Sequence, residues 1–151
     1  MESGKLFKRA IKEAKQTSSL DVPVGCAIIK DGVIIGASHN QKEELNDVTC
    51  HAEIIAIRDV QKKLGTWRLN GCEMYVTLEP CPMCASLISQ ARIKRVIYGA
   101  PDLKGGALNE EFNLYKQGKL NHYPEVTPGV LKEECSLIVS KYFQNKRKYL
   151  G

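Results

Sequence analysis

The triplet His51-Ala52-Glu53 and the later run Pro80-Cys81-Pro82-Met83-Cys84 contain the residue types that hold and use a metal. One imidazole and two thiolates make a borderline-soft donor set, for which zinc is the best match. Three protein ligands leave one corner of a tetrahedral zinc open, and an open corner admits a reactive water. Glu53 lies two residues past His51 on the same first helical turn, so its side chain falls beside such a metal and not into the same ligand position. A carboxylate placed there can take a proton from the water and pass it to a substrate nitrogen. The chemistry this arrangement supports is hydrolysis.

Each half of the pattern has other uses. Cys-x-x-Cys alone serves structural zinc half-sites and redox pairs. Cys50-His51 with Cys81 and Cys84 would complete a closed Cys₃His structural site, although neighbouring helix residues point about 100° apart, which makes joint ligation by Cys50 and His51 awkward. Cys26 and Cys135 lie in apolar stretches and read as core residues, while Cys72 near a strand start is uninformative. Taken alone, His39 and His122 read as surface or satisfied histidines.

The elements that must position these residues follow from periodicity and turn residues. Leu6, Ala10, Ile11 and Ala14 at helical spacing predict a first helix over 3–18. Apolar, β-branched residues predict strands over 22–29 and 33–37, joined by a turn at Lys30-Asp31-Gly32. Thr49 precedes a predicted helix over 51–64 closed by Gly65. A strand over 73–78 runs into Pro80 and Pro82, which suit a strand end and the first turn of a helix over 82–91. The helix N-terminus there favours thiolate over thiol, the species that binds metal. A strand over 94–98, a short helix over 109–117, a strand over 123–126 and a helix over 130–147 complete the order. No repeat or linker interrupts it, so residues 1–151 are expected to form a single α/β domain, with helices on both faces of the sheet.

Composition sets outer bounds. The 151 residues suffice for one domain with a full core, and 43% hydrophobic with 26% charged residues is ordinary for a globular protein. No apolar run is long enough to span a bilayer and no secretory leader pattern opens the chain, so no membrane association and a cytoplasmic location with reduced thiols are expected. A net charge of +5 is consistent with a polyanionic partner. The segment Lys141-Tyr142-Phe143-Gln144-Asn145-Lys146-Arg147-Lys148 alternates aromatics with cations. It reads either as a last helix with Phe143 packed, or as a tail in which Arg147 and Lys146 meet phosphates of a polyanionic partner.

Beyond the zinc motif, the chain carries Val22-Pro23-Val24-Gly25, Asn40, the run from Tyr75 to Cys84, Asp102-x-Lys104-Gly105-Gly106, Asn121-His122 and Gly129-Val130-Leu131. With these residues it resembles the cytidine-deaminase-like zinc deaminases, and among them the bacterial tRNA adenosine deaminases. The resemblance implies a three-layer α/β/α fold with a five-stranded mixed sheet and a homodimer. It also implies hydrolytic deamination of adenosine to inosine at the wobble position of a tRNA anticodon stem-loop. His51, Cys81 and Cys84 would bind one Zn²⁺ per subunit and Glu53 would shuttle protons. Asn40 would hydrogen-bond the purine and the backbone of Ala52 would frame it. Asp102, Lys104, Asn121, His122, Phe143 and Arg147 would contact the RNA. Leu108-Asn109-Glu110-Glu111 departs from the family pattern and adds negative charge to an expected RNA surface. Two other readings share the motif: a deaminase of a free base or nucleoside of the guanine or cytosine type, and a nucleic-acid-binding module with a structural zinc.

Overall fold

The computed structural model describes residues 2–150, with side chains described for residues 4–147. Its elements are α1 (Glu2–Ala14), β1 (Gly25–Lys30), β2 (Val33–His39), α2 (Ala52–Leu64), β3 (Cys72–Leu78), α3 (Pro82–Gln90), β4 (Arg95–Ala100), β5 (Glu125–Thr127) and α4 (Lys132–Leu150). A short 3₁₀ turn at Leu114–Lys116 lies between β4 and β5.

One mixed sheet orders the strands β2-β1-β3-β4-β5. β1 is antiparallel to both β2 and β3, whereas β3, β4 and β5 are parallel. β2, β3 and β4 therefore run in one direction and end at one edge of the sheet. The three connections leaving that edge carry His51, Cys81 and Asp102. Ligands of open α/β sheets gather at the carboxyl ends of strands for this reason.

Strand alternation sorts the core into two layers. On one face, Cys26 and Ile28 of β1, Met74 and Val76 of β3, and Val96 of β4 pack against Ala56, Ile57 and Val60 of α2 and Ala85 and Ile88 of α3. On the other, Ala27, Ile29, Tyr75 and Ile97 meet Phe7, Ala10 and Ile11 of α1 and Cys135 of α4. The result is the expected α/β/α layering. Gly25 permits α1 to lie this close: a Cβ there would collide with the backbone of Ala10 and Ala14.

The element boundaries differ from the expectations for local reasons. β1 starts at Gly25, not at residue 22, because Pro23 has no N–H to give a neighbouring strand. The turn at Asp31-Gly32 has positive φ at both residues (52° and 77°), and the pairing of Lys30 with Val33 makes it a two-residue hairpin. α1 stops at Ala14 because the next turn tightens to i+3 bonds, from Gln16 N–H to Glu13 O and from Thr17 N–H to Ala14 O. The predicted helix over 109–117 is largely absent. Asn109 Oδ1 accepts the N–H groups of Glu111 and Phe112, and Asn113 Oδ1 that of Tyr115. These side chains take the backbone donors a helix would need.

Candidate metal centre and active site

α2 and α3 lie side by side on one face and present their N-termini at the same edge. His51 is the N-cap of α2 and Cys81 the N-cap of α3, both with extended backbone, and Pro82 holds the first helical position after Cys81. The ring of His51 turns its Nδ1 toward both sulfurs, 3.8 Å from Cys81 Sγ and 3.5 Å from Cys84 Sγ. The three ligand atoms lie within 4.8 Å of one another.

These distances suit a tetrahedral zinc. Zn–N and Zn–S bonds of about 2.05 and 2.3 Å place nitrogen and sulfur corners about 3.6 Å apart. The donor set is the one expected for zinc. Among the described residues Cys50 is not part of the cluster. Burial and the neighbouring Asp47 instead raise the pKa of its thiol. The closed Cys₃His arrangement is therefore not formed, and the three ligands leave a corner for water or substrate.

Glu53 lies in the first turn of α2, buried at 4% exposure. Burial pushes its carboxyl up to about 7, opposed by its own backbone N–H and the nearby His51. Its interaction with Cys84 lowers the carboxyl and raises the thiol. Cys81 is held down to about 4, chiefly by the Cys84 thiol donating to it, with His51 assisting against burial. Cys84 is driven in the opposite direction by that same bond and by burial beside Glu53. Two sulfurs and a carboxylate in one buried space cannot all ionise unless a cation joins them. The pocket thus has the electrostatics of a divalent metal site with a proton-exchanging acid beside it.

The backbone that carries His51 is braced by Asn40. Its Oδ1 accepts Ala52 N–H at 2.8 Å and its Nδ2 donates to Val22 O at 2.9 Å. Thr49, which precedes α2, does not cap it: its hydroxyl donates to Asp47, and Asn40 serves the first free amide instead. Ala52 is fully buried with this N–H engaged, so Asn40 and Ala52 frame the site by fixing its backbone. Asp21, which the sequence reading passed over, is buried at 3% exposure and accepts the N–H groups of Glu43 and Glu44. It anchors the loop that leads to His51.

The remaining candidates divide. Asp102 and Lys104 sit on the loop after β4, where Asp102 Oδ1 accepts the N–H groups of Lys104 and Gly105 and Lys104 is exposed. Asn121 is exposed and lines a cavity of about 470 Å³ with Trp67, Arg92 and Lys119, beyond the C-terminal end of α3. His122 contacts Ile93 O through Nε2 at 2.7 Å, and its own carbonyl accepts from Ser89. That ring ties a loop to the end of α3, as a satisfied histidine does. Phe143 is 46% exposed with its ring edge-on to Tyr142, and Arg147 is exposed. α4, which carries both, packs on the face opposite α2 and α3. The Lys148 side chain lies outside the described residues. The structure therefore unites His51, Glu53, Cys81 and Cys84, sets the Asp102 loop at the same edge, and does not join Asn121, His122, Phe143 or Arg147 to the cluster. Sequence reasoning also missed Glu79, a carboxylate at 3% exposure between Leu78 and Pro80. The only signal was an acidic residue at the end of an otherwise apolar strand.

Comparison with known proteins agrees with this geometry. Residues 1–100 match the model of the cytidine and deoxycytidylate deaminase zinc-binding region. The chain is 44% identical over 143 residues to a tRNA-specific adenosine deaminase of Bacillus subtilis (strain 168), covering 94% of this chain and 89% of that protein. A tRNA-specific adenosine deaminase of Agrobacterium fabrum is 45% identical, with 91% of each chain covered. Among solved structures, one from a study of A-to-I editing by tRNA:A34 deaminases at the wobble position of transfer RNA superposes with a TM-score of 0.84. It has 44% identity and covers 89% of this chain and 98% of its own. A guanine deaminase from Bacillus subtilis has a TM-score of 0.61 and 41% identity, with 64% of this chain and 63% of its own covered.

Proposed function

Since the chain belongs to the cytidine and deoxycytidylate deaminase family, in the branch of the tRNA adenosine deaminases, we propose that it converts adenosine to inosine at the wobble position of a tRNA anticodon loop. The observation that carries this is the open His51-Cys81-Cys84 cluster with Glu53 buried beside it. His51 Nδ1 and the two sulfurs would hold one zinc. When bound, zinc supplies a Lewis acid that makes water nucleophilic near neutral pH.

Glu53 performs the proton transfers. It accepts a proton as water adds to C6 of the adenine and donates it to N1. It then takes the proton of the new C6 hydroxyl and delivers it to the C6 amine, which leaves as ammonia as the C6 carbonyl forms. Burial raises the Glu53 carboxyl, which strengthens it as a proton acceptor beside the metal site. Asn40 keeps the backbone at Ala52 fixed while this happens. The target base must leave the loop stack, and in a hairpin loop this costs only a few kcal/mol.

Around the pocket, the Asp102 loop would contact the flanking nucleotides. Arg147 and Lys146 would meet phosphates, with Phe143 near the unstacked bases. Exposed apolar residues lie on the segments that carry the ligands: Leu45 and Val48 before His51, and Met83 between the cysteines. Such a surface supports a homodimer covering this edge. Among the described residues no helix is long and apolar enough to cross a membrane. All six cysteines are free, which supports a reducing compartment, the cytoplasm.

The decisive experiment incubates zinc-loaded protein with an anticodon stem-loop bearing adenosine at the wobble position, in parallel with guanine, cytosine, adenosine and cytidine. Inosine in the stem-loop is expected. Ammonia from the free compounds alone would move the assignment to the free-base reading, which the partial match to guanine deaminase keeps in view. Binding to the stem-loop is further expected to weaken with salt, and Arg147→Ala to lower the magnitude of the log K against log salt slope by about 1. A slope near zero in the parent protein would remove the phosphate contacts from the scheme.

A further inference from the structure

We propose that Glu79 and Asn109 are positioning residues, a carboxylate–amide brace that fixes loop 102–109 against the turn delivering the first sulfur ligand. This rests on that loop facing the substrate, as proposed above.

The carboxylate of Glu79 receives three donors, all from this loop. Oε1 accepts Asp102 N–H at 3.0 Å, and Oε2 accepts Leu108 N–H at 2.9 Å and Asn109 Nδ2 at 3.0 Å. Glu79 N–H donates to Ala100 O at 2.8 Å, and Ala107 N–H donates to Pro80 O at 2.9 Å. Both ends of the loop are thus tied to Glu79-Pro80, immediately before Cys81. A buried carboxylate with this many donors is a stiff joint, because every lost contact leaves a desolvated charge short of a partner.

Two features of this chain are shaped by the joint. Gly106 passes so close that a Cβ would collide with the Glu79 carboxylate. Asn109 engages both ends of its amide: Nδ2 also reaches Gly106 O at 3.1 Å, and Oδ1 accepts the N–H groups of Glu111 and Phe112. It closes the brace and starts the next turn in one residue. Glu110 and Glu111 are thereby left exposed to solvent. The departure from the family pattern is thus part of the support for the substrate loop. At the loop tip, Leu103 and Lys104 stand exposed on a frame referenced to the metal ligands. Neither Glu79 nor Asn109 is placed against the reacting atoms.

The test compares zinc-loaded parent protein with Glu79→Gln, Asn109→Ala and the double variant Glu79→Gln/Asn109→Asp. Glu79→Gln retains one acceptor oxygen and sets an amide NH₂ among the donors. Adding Asn109→Asp restores the side-chain pair with reversed polarity. Steady-state inosine formation on the stem-loop, zinc per chain, and amide hydrogen exchange at Asp102 and Leu108 are measured. For Glu79→Gln we expect KM to rise about tenfold with kcat within about threefold of the parent. Exchange at both amides should accelerate about tenfold or more, with zinc still one per chain. Asn109→Ala should shift KM in the same direction by a smaller factor, and the double variant should recover part of what Glu79→Gln loses. An unchanged KM despite faster exchange would overturn the proposal, as would loss of zinc together with kcat, or a double variant no better than the single. Should the parent itself make no inosine, the deamination reading fails separately. The exchange rates then decide the brace on their own: unaltered rates overturn it and accelerated rates uphold it.

Discussion

Replacing Glu53 with alanine is expected to leave a folded, zinc-binding protein that deaminates about 10²–10⁴-fold more slowly. Three observations set this expectation. Glu53 is not one of the three ligand atoms, so its removal does not open the metal cluster. It is almost fully buried beside His51 and Cys84, where no solvent-exposed base can take its place. Burial raises its carboxyl, which makes it a better proton acceptor than a solvated one, so one group can serve as acceptor and donor in turn. The change also deletes a desolvated carboxylate, so thermal stability should hold even as turnover falls. Zinc analysis, a melting curve and single-turnover inosine formation check the three parts. Undiminished activity in Glu53→Ala would refute the proton-transfer assignment.

Removal of zinc by a chelator is expected to abolish deamination without unfolding the chain. The ligands sit on the first turns of α2 and α3, at one edge of a sheet whose two core layers are complete without them. Cooperative melting should therefore persist. Saturating zinc at about 1,000 times its Kd adds about 4 kcal/mol, or roughly 8–16 °C in Tm for a domain of this size. A nucleic-acid module with a structural zinc would behave differently, losing its fold with the ion while tolerating changes at Glu53. Calorimetry of chelated and reconstituted protein, with activity recovered on adding zinc back, separates the two. Loss of any melting transition on chelation would favour the structural module.

The order of helices and strands was legible because each long element has a period of its own. Gly65, the Asp31-Gly32 turn and Pro82 mark ends by local backbone preference, and the structure places them where expected. The segment at 109–117 departs from its predicted helix for a local reason too. Apolar spacing there suggests a helix, yet Asn109 and Asn113 divert the amides into turns. The first helix, expected to reach Ser18, tightens after Ala14.

The donor chemistry was settled by residue type. One imidazole, two thiols and an acid two places beyond the imidazole limit the metal and the reaction, whatever the sheet order, because ligand softness and helical spacing are local properties. Tertiary structure decided what lies between distant segments. It excluded Cys50 from the cluster, gave Asn40 to the backbone of Ala52, gave His122 to Ile93, and made Glu79 the anchor of a loop more than twenty residues away. No spacing rule reports these contacts. A buried carboxylate or amide takes whichever donors packing brings within reach, and three co-directed strands ending at one sheet edge are what bring them there.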